Sequence, residues 1–385
     1  MKCIRVIDEA GDVILGPGST ELICSCFVEL DMNAELSPEH SILPPREPLG
    51  SRRKPSNIRG IFLGPNGIRA GWRFALFLAL LAIFRQLIIQ RGLRLIPGFL
   101  NIAKATQGSG VLTPEFQLML QAAAILTVFL AAAIMSRIEK RSFDAYGLSR
   151  QGAFGRLFWQ GVAWGLAFET VEMLAIYAFG GFSFGTLALA SSARIKYALL
   201  WAIGFLLVGI FEEFLFRGYS QFTLGSGIGF WPAAFLLSAA FGAAHLGNSG
   251  EGWAGALSVF ALGMFGCFAL RRTGNLWFII GFHAAMDYAE TFIYSTPDSG
   301  FLAEGHLLNS SFHGPRWLTG GTIGPEGSVM EFVVFLLTFL FFNLVYPVKN
   351  RQIGDEQLDR RGGLGGEASP QVVAHDGTTF GKRRS

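Results

Sequence analysis

Cysteine, charge and a secretory leader are all scarce in this chain, and each shortage removes a class of protein. Only four cysteines stand among 385 residues. Cys3, Cys24 and Cys26 fall in a polar leader and Cys267 in an apolar run, so neither a disulfide framework nor a zinc knuckle is expected. Charged residues make up 15% of the chain and the net charge is +3. The basic side chains gather at the ends of apolar runs instead of along one stripe, which leaves nucleic-acid binding without support. Met1 to Pro17 mixes charges and glycines with no uninterrupted apolar stretch, so no cleavable signal peptide is expected. No clear repeat of the later apolar segments occurs in the first half, which counts against a transporter built from internal repeats.

What the chain has in excess is apolar length. Apolar side chains reach 51%, with 37 phenylalanines, and they come in blocks of about twenty, enough for a helix to cross a hydrocarbon core of roughly 30 Å. Eight such blocks are read: 70–91, 116–136, 157–179, 196–220, 230–248, 254–270, 275–293 and 329–347. The fold class expected is therefore an all-α, polytopic transmembrane helix bundle of about eight spans, lodged in a plasma (inner) membrane if the source is bacterial. Arg52, Arg53, Lys54, Arg59 and Arg69 precede the first span. Arg137, Lys140, Arg141, Arg150 and Arg156 fill the second connection, Arg271 and Arg272 close the sixth span, and Lys349 and Arg351 follow the eighth. By the positive-inside rule both termini are then cytoplasmic.

Three regions follow from composition: a disordered polar leader, 1–58, with the run Leu43-Pro44-Pro45-Arg46-Glu47-Pro48; a membrane domain, 59–348; and a charged, glycine-rich disordered tail, 349–385. Met32 is an alternative start within the leader. The connection 294–328 carries Gly314-Pro315, Gly320-Gly321 and Gly324-Pro325, turn signals that argue against a further span.

Chemistry is expected where ionisable groups enter apolar helices, because a charge at bilayer depth costs roughly 2.5 to 3.5 kcal/mol on insertion scales. The fourth block contains Glu212, Glu213 and Arg217; the fifth, Phe241 and His245; the seventh, His283 and Asp287. Glu213 and Arg217 are i,i+4 neighbours able to pair, as are His283 and Asp287. Glu212 lies about 100° around the helix from Glu213, free to face a cavity. Counted from the cytoplasmic ends, Glu212 is roughly 8 to 12 residues deep, His245 about 14, His283 about 8 and Asp287 about 12, a common slab at about 1.5 Å per residue. Two glutamates, two histidines and an aspartate at one depth form the inventory for activating water, by a general base or by a metal with an open position. Glu169 and Glu172 on the third block are expected to pair with Arg85 on the first, and His306 and His313 to be exposed loop residues.

At these positions the chain resembles the CAAX-processing and bacteriocin-processing (CPBP, or Abi) family of intramembrane proteases, which includes the type-2 CAAX prenyl endopeptidases. The family's EExxxR, FxxxH and HxxxN/D patterns read here as Glu212-Glu213 with Arg217, Phe241 with His245, and His283 with Asp287. Arg272-Thr273-Gly274-Asn275-Leu276-Trp277 and Tyr146-Gly147-Leu148 add to the likeness. The resemblance implies an endopeptidase cleaving a peptide or membrane-protein substrate, prenylated in the eukaryotic precedent. Glu212 and His245 would activate water, and His283 and Asp287 would stabilise the oxyanion. An ionised Asp287 would repel that oxyanion, so it must be protonated, orient His283, or ligate a metal. Zn2+ held by Glu212, His245, His283 and Asp287 and a metal-free glutamate mechanism both remain open. A member that has lost catalysis, serving as an immunity or scaffold protein, is the alternative.

Overall fold

The computed structural model describes residues 59–64, 67–109, 111–248 and 252–347. The leader 1–58 with its three cysteines, the tail 349–385, and the basic residues placed in either lie outside the described residues. The chain starts with a short helix α1 (Arg59–Phe62) and the antiparallel pair β1 (Leu63–Gly64) and β2 (Gly67–Ile68). It continues through α2 (Ala70–Phe84), wound on as a π-helix over Arg85–Gly92, then α3 (Phe99–Ser109), β3 (Val111–Leu112) and α4 (Pro114–Ile138). Then come α5 (Arg156–Ala178), β4 (Phe182–Ser183), α6 (Ser191–Glu213) with a π-segment Phe214–Ser220, and α7 (Gln221–Ile228). Next are α8 (Phe230–His245), α9 (Trp253–Thr273) and α10 (Trp277–Tyr288) with a π-segment Ala289–Ile293. The strands β5 (Leu302–Ala303) and β6 (Ser311–Phe312), α11 (Arg316–Thr319) and α12 (Val329–Val345) complete the described part.

This is an all-α membrane bundle, and the protein is an integral, multi-pass membrane protein. Five helical stretches are long and apolar enough to cross a bilayer: Ala70–Leu95, Pro114–Ile138, Arg156–Ala178, Ser191–Ile228 and Trp253–Thr273. Helices α8 and α12 are apolar but shorter. Each of the eight blocks read from the sequence falls on a helix. The sequence reading missed α3, whose Asn101, Lys104 and Thr106 interrupt its apolar run. The glycine-rich block 254–270 is the most buried of the five long helices, because its glycines make room for neighbours.

Close helix contact is set by small residues. On α5, a Cβ on Gly161 would lie 1.9 Å from the Phe278 carbonyl oxygen, and one on Gly165 2.2 Å from that of Phe282. Reciprocally, a Cβ on Gly281 of α10 would meet the Phe158 carbonyl at 2.3 Å. The two backbones therefore touch along a Gly-x-x-x-Gly seam, the membrane route to tight packing when water supplies no drive between helices. Gly242 does the same for α8 against Ala256 of α9.

The start of α10 is pinned as firmly as its face. The Leu276 amide donates to the Gly147 carbonyl at 3.0 Å, the Trp277 indole to the Ser149 carbonyl at 2.8 Å, and Asn275 Oδ1 caps the helix by accepting from the Trp277 amide at 2.8 Å. Gly147 sits at φ 85°, with Phe222 and Leu276 against it. The two segments read separately in the sequence, around Tyr146 and around Asn275, are thus one joint. At the far end of α10, the connection 294–328 is tied down by β5 pairing in parallel with β3 and β6 antiparallel with β4. It contributes no long helix, in keeping with its turn signals.

One expected pairing does not form. Glu169 and Glu172 are buried on α5, while Arg85 is exposed in the π-segment after α2. Helix α5 packs on α10 and α12 whereas α2 packs on α4 and α7, so the acids and the arginine are not neighbours. Glu172 instead faces Glu331 of α12, whose Oε1 accepts from Ser258 Oγ at 2.7 Å.

Enlarging the seam tests it. Gly161→Leu or Gly165→Val should lower the unfolding temperature of the detergent-purified protein, with overpacking costing about 1–3 kcal/mol or more. Gly71→Ala on α2, where nothing lies within 4 Å, should be neutral or slightly stabilising. Equal behaviour of the three variants would show that the seam does not position α10.

Candidate active site

Helix α6 delivers Glu212 and Glu213 at its last turn, and the following π-segment re-aims Arg217 before Gly218 breaks the helical path (φ −81°, ψ −112°). π-turns of this kind shift the side chains beyond them around the helix and are frequent at functional sites. Glu213 has no exposed surface. Its Oε1 accepts from Arg217 Nη1 at 3.3 Å and lies 2.8 Å from His283 Nδ1. One carboxylate therefore holds a guanidinium from its own helix run and an imidazole from α10.

Arg217 is almost wholly buried. Its Nε donates to the Gly263 carbonyl at 3.4 Å, and its guanidinium lies over the Phe241 ring, 4.4 Å from the centroid. A Cβ on Gly263 would come within 2.8 Å of Nη2, and one on Gly266 within 3.2 Å of Nε. The glycines of α9 therefore hollow out the space the cation fills. A cation stacked on an aromatic face in a dry setting gains about 2 kcal/mol or more, which helps offset the cost of burying it.

Around His283 the carboxylates are arranged on both sides. Because an ionised carboxylate only accepts, Nδ1–H donates to Glu213. Nε2 then faces Asp287 Oδ2 at 3.5 Å and Glu212 Oε2 at 3.8 Å, longer than a well-formed hydrogen bond. Asp287 is 9% exposed at its side chain and Glu212 18%, against none for Glu213, so Glu212 is the most open of the three acids. His245 is half-buried. Its Nδ1–H donates to the Phe241 carbonyl at 2.9 Å, which leaves Nε2 as an acceptor. Phe241 presents its ring to both imidazoles, 4.9 Å from His245 and 6.3 Å from His283 between centroids.

Glu212, Glu213, Arg217, His283 and Asp287 thus stand in one contiguous cluster, with His245 joined to it through Phe241. The short His283–Glu213 contact was not foreseen, because i,i+4 spacing reveals partners on one helix only. Asp298 was missed altogether. It lies in the turn after α10, accepts from Thr291 Oγ1 at 2.9 Å, and is close enough to His283, His245 and Glu212 to feel their charges; burial pushes its carboxyl up to about 6. A lone aspartate in a Pro-Asp-Ser-Gly turn carries no signal that would separate it from an ordinary loop residue. His306 donates from Nδ1 to the Ala303 carbonyl, and His313 lies exposed beside Ser183 and Ser311; neither approaches the cluster's hydrogen bonds.

Residues 193–289 match the family described as type II CAAX prenyl endopeptidase Rce1-like. The matched segment runs from α6 into the end of α10 and contains every residue of the cluster read from the sequence. The match is consistent with the CAAX-protease-like family that the motifs resemble. No curated protein and no solved structure matches the chain.

Removing the cation should expose how much the buried pair matters. Arg217→Ala leaves Glu213 charged in a dry pocket and should destabilise the protein by about 3–5 kcal/mol, the cost of breaking a buried ion pair from one side. Denaturant unfolding in detergent micelles measures it, and a change under about 0.5 kcal/mol would show that Glu213 does not depend on the guanidinium.

Proposed function

We propose that this protein is an intramembrane endopeptidase of the CAAX prenyl protease-like type, hydrolysing a peptide bond with a water activated by Glu212 and His245. The observation that carries the reading is His283 held at Nδ1 by Glu213 with its Nε2 turned toward Glu212 and Asp287. The family match supports a peptide substrate and a membrane setting. A prenylated C-terminal peptide is the substrate class we propose first, with the inner membrane as the site of action if the source is bacterial. An eight-crossing topology with both termini cytoplasmic follows from the basic helix ends.

Glu212 is suited to the base because it is the acid with the most open surface, where water and the scissile carbonyl can reach it. As it takes a proton from water, the hydroxide attacks the carbonyl carbon and negative charge develops on the carbonyl oxygen. His245 offers a free Nε2 to hold the attacking water in line. His283, set among three carboxylates, has counter-charges for a cationic ring, and its Nε2–H would then donate to the oxyanion. Asp287 orients that ring instead of meeting the oxyanion. The proton on Glu212 passes to the leaving amine as the tetrahedral species collapses.

We also carry zinc as a proposal. His245 and His283 with Glu212 and Asp287 are the residues that would hold it, and His283 is oriented from its second nitrogen by Glu213, as carboxylates orient metal-bound imidazoles. When bound, the ion would supply Lewis acidity toward water and carbonyl.

Glu212→Ala or His245→Ala should abolish cleavage while leaving membrane insertion intact, and His283→Ala should lower kcat by roughly a hundredfold or more. A cleavage assay on purified variants with a prenylated peptide and its unprenylated counterpart reads both activity and substrate class. Wild-type rates in Glu212→Ala would sink the assignment. Loss of activity on chelation, restored by Zn2+, would select the metal route; indifference to chelation would select the glutamate route.

A further inference from the structure

The end of α10 carries a second cluster that the hydrolytic reading leaves unused. Glu290 in the π-segment closing α10, Asp298 in the turn after it, and Glu326 just before α12 each bring a carboxylate oxygen within 4.8 Å of the other two. They form the one group of three potential metal-ligating residues gathered this tightly among the described residues. Glu290 is 1% exposed and Glu326 6%, and no Lys or Arg ion-pairs with Glu290 or Asp298 among the described residues.

Two of the acids are clamped from behind. Glu326 Oε2 accepts from the Ser299 amide at 2.8 Å and from its hydroxyl at 2.9 Å. Asp298 Oδ2 accepts from Thr291 Oγ1 at 2.9 Å. Hydrogen bonds of this type fix a carboxylate's direction, as outer-shell partners do for metal ligands. Glu290 Oε1 has no hydrogen-bond partner although it is buried. On a different helix, Glu169 Oε1 is also buried and without a partner, and Glu169 lies close enough to Glu290 and Asp298 for their charges to interact. The unsatisfied oxygens of Glu290 and Glu169 come from two different helices beside the same acid trio, where one cation would satisfy them together.

The loop backbone completes the surroundings. Gly324 adopts φ +108°, and a Cβ there would lie 2.0 Å from the Pro297 carbonyl oxygen and 2.9 Å from Glu290 Oε1. Only glycine lets the chain run this close, and the close approach brings a peptide carbonyl to the same side as the orphan oxygen. The donors are then all oxygens, carboxylate and carbonyl, with neither imidazole nor thiolate. That set suits a hard divalent cation, and ligands drawn from a loop with irregular geometry suit calcium better than magnesium, which demands near-ideal octahedra.

We propose that Glu290, Asp298 and Glu326 bind a calcium-class divalent cation that fastens the 294–328 connection to the end of α10. The ion offsets two of the three carboxylate charges and ties Glu326, just before α12, to Glu290 and Asp298 at the end of α10. Its residues are distinct from Glu212, His245, His283 and Asp287.

The full chain, purified in detergent and stripped with EGTA, is titrated with Ca2+ while thermal unfolding and calorimetric heat are followed. Wild type should show a saturable rise in Tm and a single binding isotherm. The isosteric variants Glu290→Gln and Glu326→Gln should bind at least tenfold more weakly and lose the Tm rise, whereas His245→Ala should respond as wild type does. Asp298→Asn gives the same reading should either glutamine variant fail to fold. The proposal is overturned by the absence of a saturable response in wild type, by an unchanged response in the folded trio variants, or by a response to Zn2+ alone. Because the readout is binding and not cleavage, a protein that binds Ca2+ yet cleaves nothing would sink only the hydrolytic reading.

Discussion

Glu213 carries the arrangement on which the rest depends. Its carboxylate, out of contact with solvent, holds Arg217 and His283 at once, and each partner alone would leave a charge in a medium where charge is expensive. The surrounding packing keeps this contact dry and in register. Phe241 covers the guanidinium, Gly263 and Gly266 give it volume, and the Gly161–Gly165 seam presses α10 onto α5 so that His283 arrives at a fixed height. Glu212, one residue away, is left as the acid with room to act.

This division explains why two adjacent glutamates are not interchangeable. A helix places consecutive residues about 100° apart, so Glu213 faces the packed interface with α9 and α10 while Glu212 stays partly exposed. The buried acid holds Arg217 and His283; the other keeps more of its surface open. The π-segment that follows supports the same division. It re-aims the chain so that Arg217 returns beneath Glu213, and the break at Gly218 then starts a new direction for α7.

The end of α10 shows a different balance of forces. There the bundle gives way to a long connection held by two short β-pairs, by apolar contacts of Tyr294, Ala303 and Leu318, and by acids brought together. Several carboxylates gathered in little solvent would repel one another, and the loop's backbone comes close to Glu290 all the same. A cation resolves that conflict in the way Arg217 resolves it for Glu213, with a mobile ion in place of a side chain.

The sequence by itself determined the helical class, the eight apolar segments and the residues of the central cluster, because membrane helices announce themselves by length and apolarity and because charges inside them are rare enough to stand out. It also determined pairs within one helix, such as Glu213 with Arg217 and His283 with Asp287, since spacing of four fixes a shared face. Only the tertiary structure decided which helices touch. Arg85 was expected beside Glu169 and Glu172, and the bundle order keeps them apart; His283 was not expected on Glu213, and the crossing of α6 with α10 places it there. Glu326 meets Glu290 and Asp298 from a separate stretch of chain. Spacing along the sequence holds no record of such a meeting, because it arises from glycine-mediated helix approach and loop closure, which act between segments rather than within them.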